Sequence, residues 1–383
     1  MARASADLRI AEIELWNCVL PLAQPIDLGN FVIRQRTHLV VRMRTEDGMV
    51  ADCVSQARSV PLDVIAADLL APRLVGKSAL DISARRRELQ LDLTFVGLDG
   101  AVGRAWSALE ICMQDLRAQC AGWPMWRLLG GHPRVVDIEL VEGYDLPNES
   151  DEQFAERLAA RSQEGYRYLK LEAAHYKDPG KLIRRIEGFR KLAGSDTQLV
   201  LDFAATWENP REKGALIQAL APLGIAWIED PLPRQQIDDY VALRRSSDIL
   251  IGAGDEATRA GDIRALIMAK GLDMVRLDAT ALGGFEAARD LTQFARDNHL
   301  KVSYHDRPEV HEHCVFGLDS ADHVEVFPVD RPFDRAHDII QARTFDRIKN
   351  GKLSPGNEPG TGLKIIEDAV TRYSNRHFTI KAA

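Results

Sequence analysis

Apolar and polar positions change rhythm twice along this chain. From residue 8 to residue 53 they read as strands: LRIAEIELWNCVLPL and THLVVRMRTEDGMVADCV are rich in β-branched and apolar residues, with EDG as a turn between paired runs. Between them, AQPIDLGNFVIRQR is polar, carries Gly29 and Asn30, and reads as a mobile loop. From 63 to about 127 the spacing turns helical; ALEICMQDLRAQCAGWPMWRLLGG stops at the Gly130–Gly131 pair. Strands followed by helices, segregated, predict a small α+β domain over 1–132.

From Val135 the pattern alternates. VDIELVEG, YRYLKLE, QLVLDF, IAWIED, DILIGAG, DMVRLD, LKVSYH and DHVEVF are strand candidates. DEQFAERLAARSQEG, DPGKLIRRIEGFRKLAG and GGFEAARDLTQFARDNH are helical candidates between them. Eight strands with intervening helices predict a (β/α)8-type barrel over 133–344, with the last helix short or replaced. The tail, 345–383, is expected to return to the N-terminal domain and complete it as a cap.

The strand ends carry the chemistry. Three runs end in carboxylates, Asp202, Glu229 and Asp255, spaced 27 and 26 residues apart, about one strand-plus-helix unit. On neighbouring strands these would meet at the C-terminal rim, where barrel enzymes keep their sites. Three convergent carboxylates repel unless a cation neutralises them, and an all-oxygen set suits Mg²⁺. The phase continues to Asp278, His305 and Glu325, and upstream to Lys170 and Glu172, which share one face at i and i+2. A lone carboxylate after a strand is more often a turn residue or helix N-cap. Six consecutive strands with ionisable ends in phase outweigh that reading. Asp278 beside His305 has the form of a carboxylate orienting a general base.

Bulk properties narrow the picture. Of 383 residues, 45% are hydrophobic and 28% charged, and the net charge of −8 disfavours nucleic acid and anionic membranes as partners. Five scattered cysteines without a CxxC spacing read as reduced thiols. With neither a basic-then-apolar leader nor a long apolar run, the expected location is the cytoplasm. His311 and His313, two apart on a helix, do not share a face and make no second metal site. Trp207 reads as packing at the barrel mouth.

WRLLGG, GYRYLKLE, DFAATW, IEDP, GDE, LDATALGG, SYH and EPGTGL, in this order, resemble the enolase superfamily, mandelate racemase subgroup. The resemblance covers nearly the whole chain. It implies one Mg²⁺ per active site on Asp202, Glu229 and Asp255, and an acid/base dyad of Asp278 and His305. It places Glu325 near the substrate carboxylate and Glu256 behind the metal ligands. It also implies a small carboxylate substrate and a homo-oligomer. Two departures stand out. The second strand of the family usually ends Lys-x-Lys, but here Glu172 replaces the second Lys after Lys170. Ala204 stands where the family often has Asn.

The implied chemistry is proton abstraction beside a carboxylate. With the second base in doubt, a one-base route through His305 is expected: dehydration of an acid sugar to a 2-keto-3-deoxy acid, in acid-sugar catabolism. The alternatives are a racemase or epimerase, a related lyase, and a metal-binding relative without catalysis. Glu172 has three readings: an ion pair with Lys170, a contact to a substrate hydroxyl or cation, or a base. Specificity is expected from the cap, with Asn30 in 27–36 and Arg58 in 54–60. Arg307 and Glu309 either line the rim or begin the next helix.

Overall fold

A computed structural model describes residues 7–382 except 30, 210–212, 320, 332 and 342. Three N-terminal strands, β1 (Ile10–Asp27), β2 (Val32–Thr45) and β3 (Val50–Gln56), form an antiparallel sheet in sequence order. The EDG turn closes with the Gly48 N–H donating to the Thr45 carbonyl at 3.0 Å. The helix Gly100–Ala121 packs on β2 and β3 and stops at Gly122, whose φ of +69° is open to glycine at little cost.

The segment expected to be a mobile loop is instead the end of a long hairpin. β1 runs on to Asp27, β2 starts at Val32, and Ile26 lies opposite Ile33. Ile26, Leu28 and Ile33 are buried with Val141, Tyr144 and Phe333 at the barrel mouth. The stretch reads as polar because most of its other described side chains face water, Arg36 excepted; the burial that orders it comes from a distant part of the chain. Asn30, expected to touch substrate, lies outside the described residues.

All eight strand candidates of the second region form parallel strands: β4 (Val136–Val141), β5 (Tyr168–Glu172), β6 (Gln198–Asp202), β7 (Ile225–Glu229), β8 (Leu250–Ala253), β9 (Met274–Leu277), β10 (Lys301–Tyr304) and β11 (His323–Val326). Parallel ladders join β4 to β10 in order, and β11 pairs back to β4. The first and eighth strands are therefore neighbours, as a (β/α)8-type barrel requires. The helix Asp151–Gln163 begins at a capping box between Ser150 and Gln153. After β11 the 3-10 turn Ala336–Asp338 follows, then the helical turn Arg343–Asp346.

The period of two sorts each strand. Leu169, Leu171, Leu199, Leu201, Ile228, Ile251, Val275 and Leu277 belong to the main apolar core. The alternate positions hold Lys170, Asp202, Glu229, Arg276 and Glu325, which hydrogen-bond or ion-pair across the barrel interior. The tail first adds a hairpin, β12 (Ile348–Lys349) and β13 (Lys352–Leu353), with Leu353 opposite Val136 of β4. Its last strand, β14 (Ser374–Lys381), pairs with β1, so the C-terminal segment completes the cap sheet. No helix among the described residues is long and apolar enough to cross a membrane.

Candidate active site

Asp202, Glu229 and Asp255 close β6, β7 and the turn after β8, and one ligand oxygen from each falls within 4.8 Å of the others. The approach to Asp255 depends on Gly254: its φ is +129°, and an added Cβ would lie 2.1 Å from the Arg276 carbonyl oxygen. One oxygen of each carboxylate is anchored by the protein. Asp202 Oδ1 accepts from the Ala204 N–H at 2.9 Å. Glu229 Oε2 accepts from Trp227 Nε1 at 2.9 Å and faces Arg276 Nε at 3.1 Å. Asp255 Oδ1 accepts from Arg276 Nε at 3.2 Å. The other three oxygens converge on one ammonium: Lys170 Nζ lies 3.3 Å from Asp202 Oδ2, 3.3 Å from Asp255 Oδ2, and in contact with Glu229 Oε1. A cation is thus already seated where three anionic oxygens meet, and the donor set is all carboxylate. These residues fit a hard divalent ion.

Lys170 also binds Glu325 Oε2 at 3.0 Å. It does not make the ion pair with Glu172 that was one expectation. Glu172 instead accepts from the Ala174 N–H at 3.1 Å, buried beside Asp202. Burial, then the Asp202 charge, hold its carboxyl well above the usual range. Lysine has the reach to choose among several acids, and the trio presents more negative charge than Glu172 alone.

Asp278 follows β9 and caps the short helix Ala279–Leu282. Its Oδ1 accepts from the Thr280 N–H at 2.8 Å and hydroxyl at 2.6 Å, and its Oδ2 faces His305 Nδ1 at 3.2 Å. Asp278 is therefore an N-cap and a partner of His305 at once. His305 Nε2 stands 3.8 Å from Asp255 Oδ2, on the metal side of the ring. Burial alone would lower the imidazole pKa; Asp255, the Asp278 hydrogen bond, Glu325 and Glu256 together push it up to about 10. His311 supports the dyad from behind, taking the Ala279 N–H at Nε2 and facing the Asp306 carbonyl with Nδ1.

A cavity of about 340 Å³ joins these groups, lined by Lys170, Glu172, Asp202, Asp255, His305 and Glu325 among others. Arg58 and Glu256 line it too, but they are bound to each other. Arg58 Nε lies 2.8 and 3.0 Å from the two Glu256 oxygens, and Arg104 holds Glu256 at 2.8 Å. Arg307, expected at the rim, turns away into Asp306 and Asp334 at 2.7 and 2.6 Å, because two buried carboxylates wait behind the strand end. Glu309 starts the helix Pro308–Leu318 and faces the tail instead. Trp207 packs on Phe203 with ring centroids 4.7 Å apart.

The sequence reading missed three residues. Arg276, fully buried, binds Glu139, Glu229, Asp255 and Glu325 from below. Its signal was an Arg inside an apolar strand, two positions before Asp278 and so on the same face. Glu139 is the matching acid on β4. Asp230 accepts from the Gly254 and Asp255 N–H groups at 3.1 and 3.0 Å and so fixes the third ligand. Non-glycine residues with positive φ gather at this rim: Ala204, Ala205, Asp230, Glu256, Asp306 and Arg307 each follow a site residue closely. Such conformations persist where surrounding contacts over-determine them, as at functional sites.

A parallel barrel with three acids on consecutive strands and an Asp–His pair on the next two defines a metal-dependent barrel enzyme. Residues 153–369 match the family described as enolase C-terminal domain-like, and 11–130 match the mandelate racemase / muconate lactonizing enzyme N-terminal domain. The chain belongs to the enolase superfamily, in its mandelate racemase subgroup, and its cofactor is Mg²⁺. It is 26% identical over 370 residues to the L-talarate/galactarate dehydratase of Salmonella typhimurium, covering 94% of this chain and 90% of that one. It is 23% identical over 300 residues to the N-succinyl-L-Arg/Lys racemase of Bacillus cereus, covering 75% and 77%. A Bradyrhizobium enolase solved with magnesium and mandelic acid superposes with a TM-score of 0.84 at 26% identity, covering 96% and 99%. Relatives of both lyase and isomerase type share this fold.

Proposed function

We propose that the protein dehydrates a 2,3-dihydroxy acid of the acid-sugar class to a 2-keto-3-deoxy acid. Asp202, Glu229 and Asp255 would hold Mg²⁺, which when bound would supply positive charge beside the substrate carboxylate and make the α-proton more acidic. His305 Nε2 takes that proton. The same nitrogen returns it to the departing β-hydroxyl, which leaves as water, and the enol tautomerises to the keto acid. Asp278 at Nδ1 orients the imidazole so that Nε2 faces the cavity as the base. Lys170 and Glu325 are proposed to steady the substrate carboxylate.

One observation carries this reading. His305 shares its cavity with Asp202 and Asp255, while the place of a second base holds Glu172, a buried carboxyl held above its usual range by burial and then by the Asp202 charge. The same fact favours a second reading, an epimerase, in which Glu172 delivers a proton to the other face of the α-carbon.

The test is a screen of sugar acids with Mg²⁺, trapping 2-keto products with semicarbazide, followed by α-proton exchange in D₂O. Keto product whose formation is lost in His305→Asn supports dehydration. Inverted configuration without keto product supports the epimerase. Neither outcome across the library overturns both.

A further inference from the structure

Asp255 and Asp278 leave the barrel on different loops, and one helix of the cap is bonded to both loops. Arg104, Ser107 and Glu110 stand three residues apart on the helix Gly100–Ala121, so they form one slanting ridge on its surface. All three are buried, and none lines the cavity. Arg104 Nη2 donates to the Glu256 carboxylate at 2.8 Å, and Nη1 to the Gln56 carbonyl at 2.9 Å. Glu256 directly follows Asp255 of the trio. Ser107 Oγ accepts from the Gly283 N–H at 2.8 Å, five residues beyond Asp278. Glu110 accepts from the Phe285 and Glu286 N–H groups at 2.8 and 3.2 Å, in the first turn of the helix Gly284–Asp297.

These contacts do more than fill space. The first N–H groups of a helix have no partner within it, and a carboxylate there also meets the positive end of the helix dipole. The Gly284–Asp297 helix takes that carboxylate from the other domain. Gly284 makes the approach possible, because an added Cβ would overlap Glu110 Oε2. Ser55 of β3 adds a second tie, donating to the Thr280 carbonyl at 3.0 Å, and Thr280 is the residue that fills Asp278 Oδ1. On the other loop Glu256 holds a φ of +51°, a conformation that persists in a non-glycine residue only when its surroundings impose it.

We infer that Arg104, Ser107 and Glu110 are positioning residues, a template on the cap helix that sets the place of the Asp278–His305 dyad relative to the metal trio. Glu110 and Ser107 act on the dyad through the turn after β9. Arg104 acts on Asp255 through Glu256. This rests on the reading that His305 takes a proton beside a carboxylate held at the trio.

The test reads the two arms separately in the full-length protein. The Nδ1–H proton signal of His305, assigned by its loss in His305→Asn, reports the bond to Asp278, and calorimetry reports Mg²⁺ affinity. Glu110→Gln sets a donor against the helix N–H groups; Ser107→Ala is the milder change should that variant fold poorly. Both should shift the His305 signal and leave Mg²⁺ affinity unchanged. With the sugar acid that the Mg²⁺ screen identifies, both should lower kcat for α-proton exchange by about 10–100-fold at constant KM. Arg104→Met should do the reverse, weakening Mg²⁺ by about tenfold while the His305 signal stays in place. Met43→Ala, buried in the cap sheet on β2, should lower the melting temperature and move neither readout. A His305 signal unmoved in both dyad-arm variants, Mg²⁺ affinity unmoved in Arg104→Met, or the same changes in Met43→Ala would reduce the ridge to a domain contact and overturn the inference. Absence of α-proton exchange in the wild type counts against the proton-abstraction reading alone, since the signal and the metal affinity are measured without turnover.

Discussion

Nδ1 of His305 lies 3.2 Å from Oδ2 of Asp278, and the other Asp278 oxygen is filled by Thr280. The carboxylate has no freedom to rotate. It holds the imidazole with Nε2 toward Asp255, and accepting from Nδ1–H favours, in the neutral ring, the tautomer whose Nε2 can take a proton. Burial opposes ionisation of Asp278, yet the His305 hydrogen bond helps keep it well below the usual carboxylate range.

In Asp278→Asn the amide oxygen stays with Thr280, because both donors there demand an acceptor. The amide N–H₂ then faces Nδ1 and forces the opposite tautomer. Exchange of the α-proton should fall by about 10²–10⁴ with Mg²⁺ affinity unchanged. NMR exchange rates and metal calorimetry check this together. A rate within threefold of wild type would refute the assigned role.

Lys170 holds three acids together in the metal-free protein. In Lys170→Met these carboxylates face one another without a counter-charge on that side. Melting without metal should drop, and the rise on adding Mg²⁺ should exceed that of wild type, because binding relieves more repulsion. Glu229→Gln should show little rise. Identical Mg²⁺ shifts in wild type and Lys170→Met would contradict this account of the site.

The strand-end residues were legible because two regularities coincide: side chains alternate along a strand, and βα units recur at nearly constant length. That is why Asp202, Glu229, Asp255, Asp278 and His305 could be placed around one rim. Their partners were not legible. Lys170 and Glu172 share a face, but which acid the ammonium reaches depends on charge gathered from four strands. The hairpin tip looked like a loop because Ile26, Leu28 and Ile33 are buried only by the barrel. Arg307 pointed to the rim in sequence but had Asp334, 27 residues away, behind it. Arg276 was hidden inside an apolar run.

The joint between cap helix and tail should respond to pH. Asp115, on the helix Gly100–Ala121, accepts from the Thr361 N–H at 2.9 Å and hydroxyl at 3.2 Å. Burial pushes its carboxyl up to about 7. The folded state therefore holds a proton between about pH 4 and 7 that the unfolded chain releases, and this contribution to stability falls as pH rises through that window. Asp115→Asn carries no such proton. The urea stability of wild type relative to this variant should decline from pH 4.5 to pH 8, by about 4 kcal/mol at most. A flat or rising difference would show that Asp115 ionises normally.

Arg276 provides the sharpest test of the barrel interior. Its Nη1 binds Glu139 at 2.9 Å and Ser303 at 2.8 Å, Nη2 binds Glu325, and Nε faces both Glu229 and Asp255. Glu139 Oε1 has no hydrogen-bond partner, so the carboxylate depends on what reaches Oε2, this guanidinium and His323. Burial opposes its ionisation, but Arg276 first and then His323 bring it down to about 2. Arg276→Leu removes the cation and leaves buried charge uncompensated, at a cost of about 3–5 kcal/mol in urea unfolding with chelator present. Arg276→Lys keeps the charge but has no planar fork to span several carboxylates, so it should recover only part of that loss. Both variants free the anchored oxygen of Asp255 and leave that of Glu229 to Trp227 Nε1, and Mg²⁺ should bind more weakly to Arg276→Lys than to wild type even where the fold is regained. If the lysine variant matches wild type in both stability and metal affinity, the bonds made by the guanidinium are incidental, and plain positive charge beneath the trio is enough.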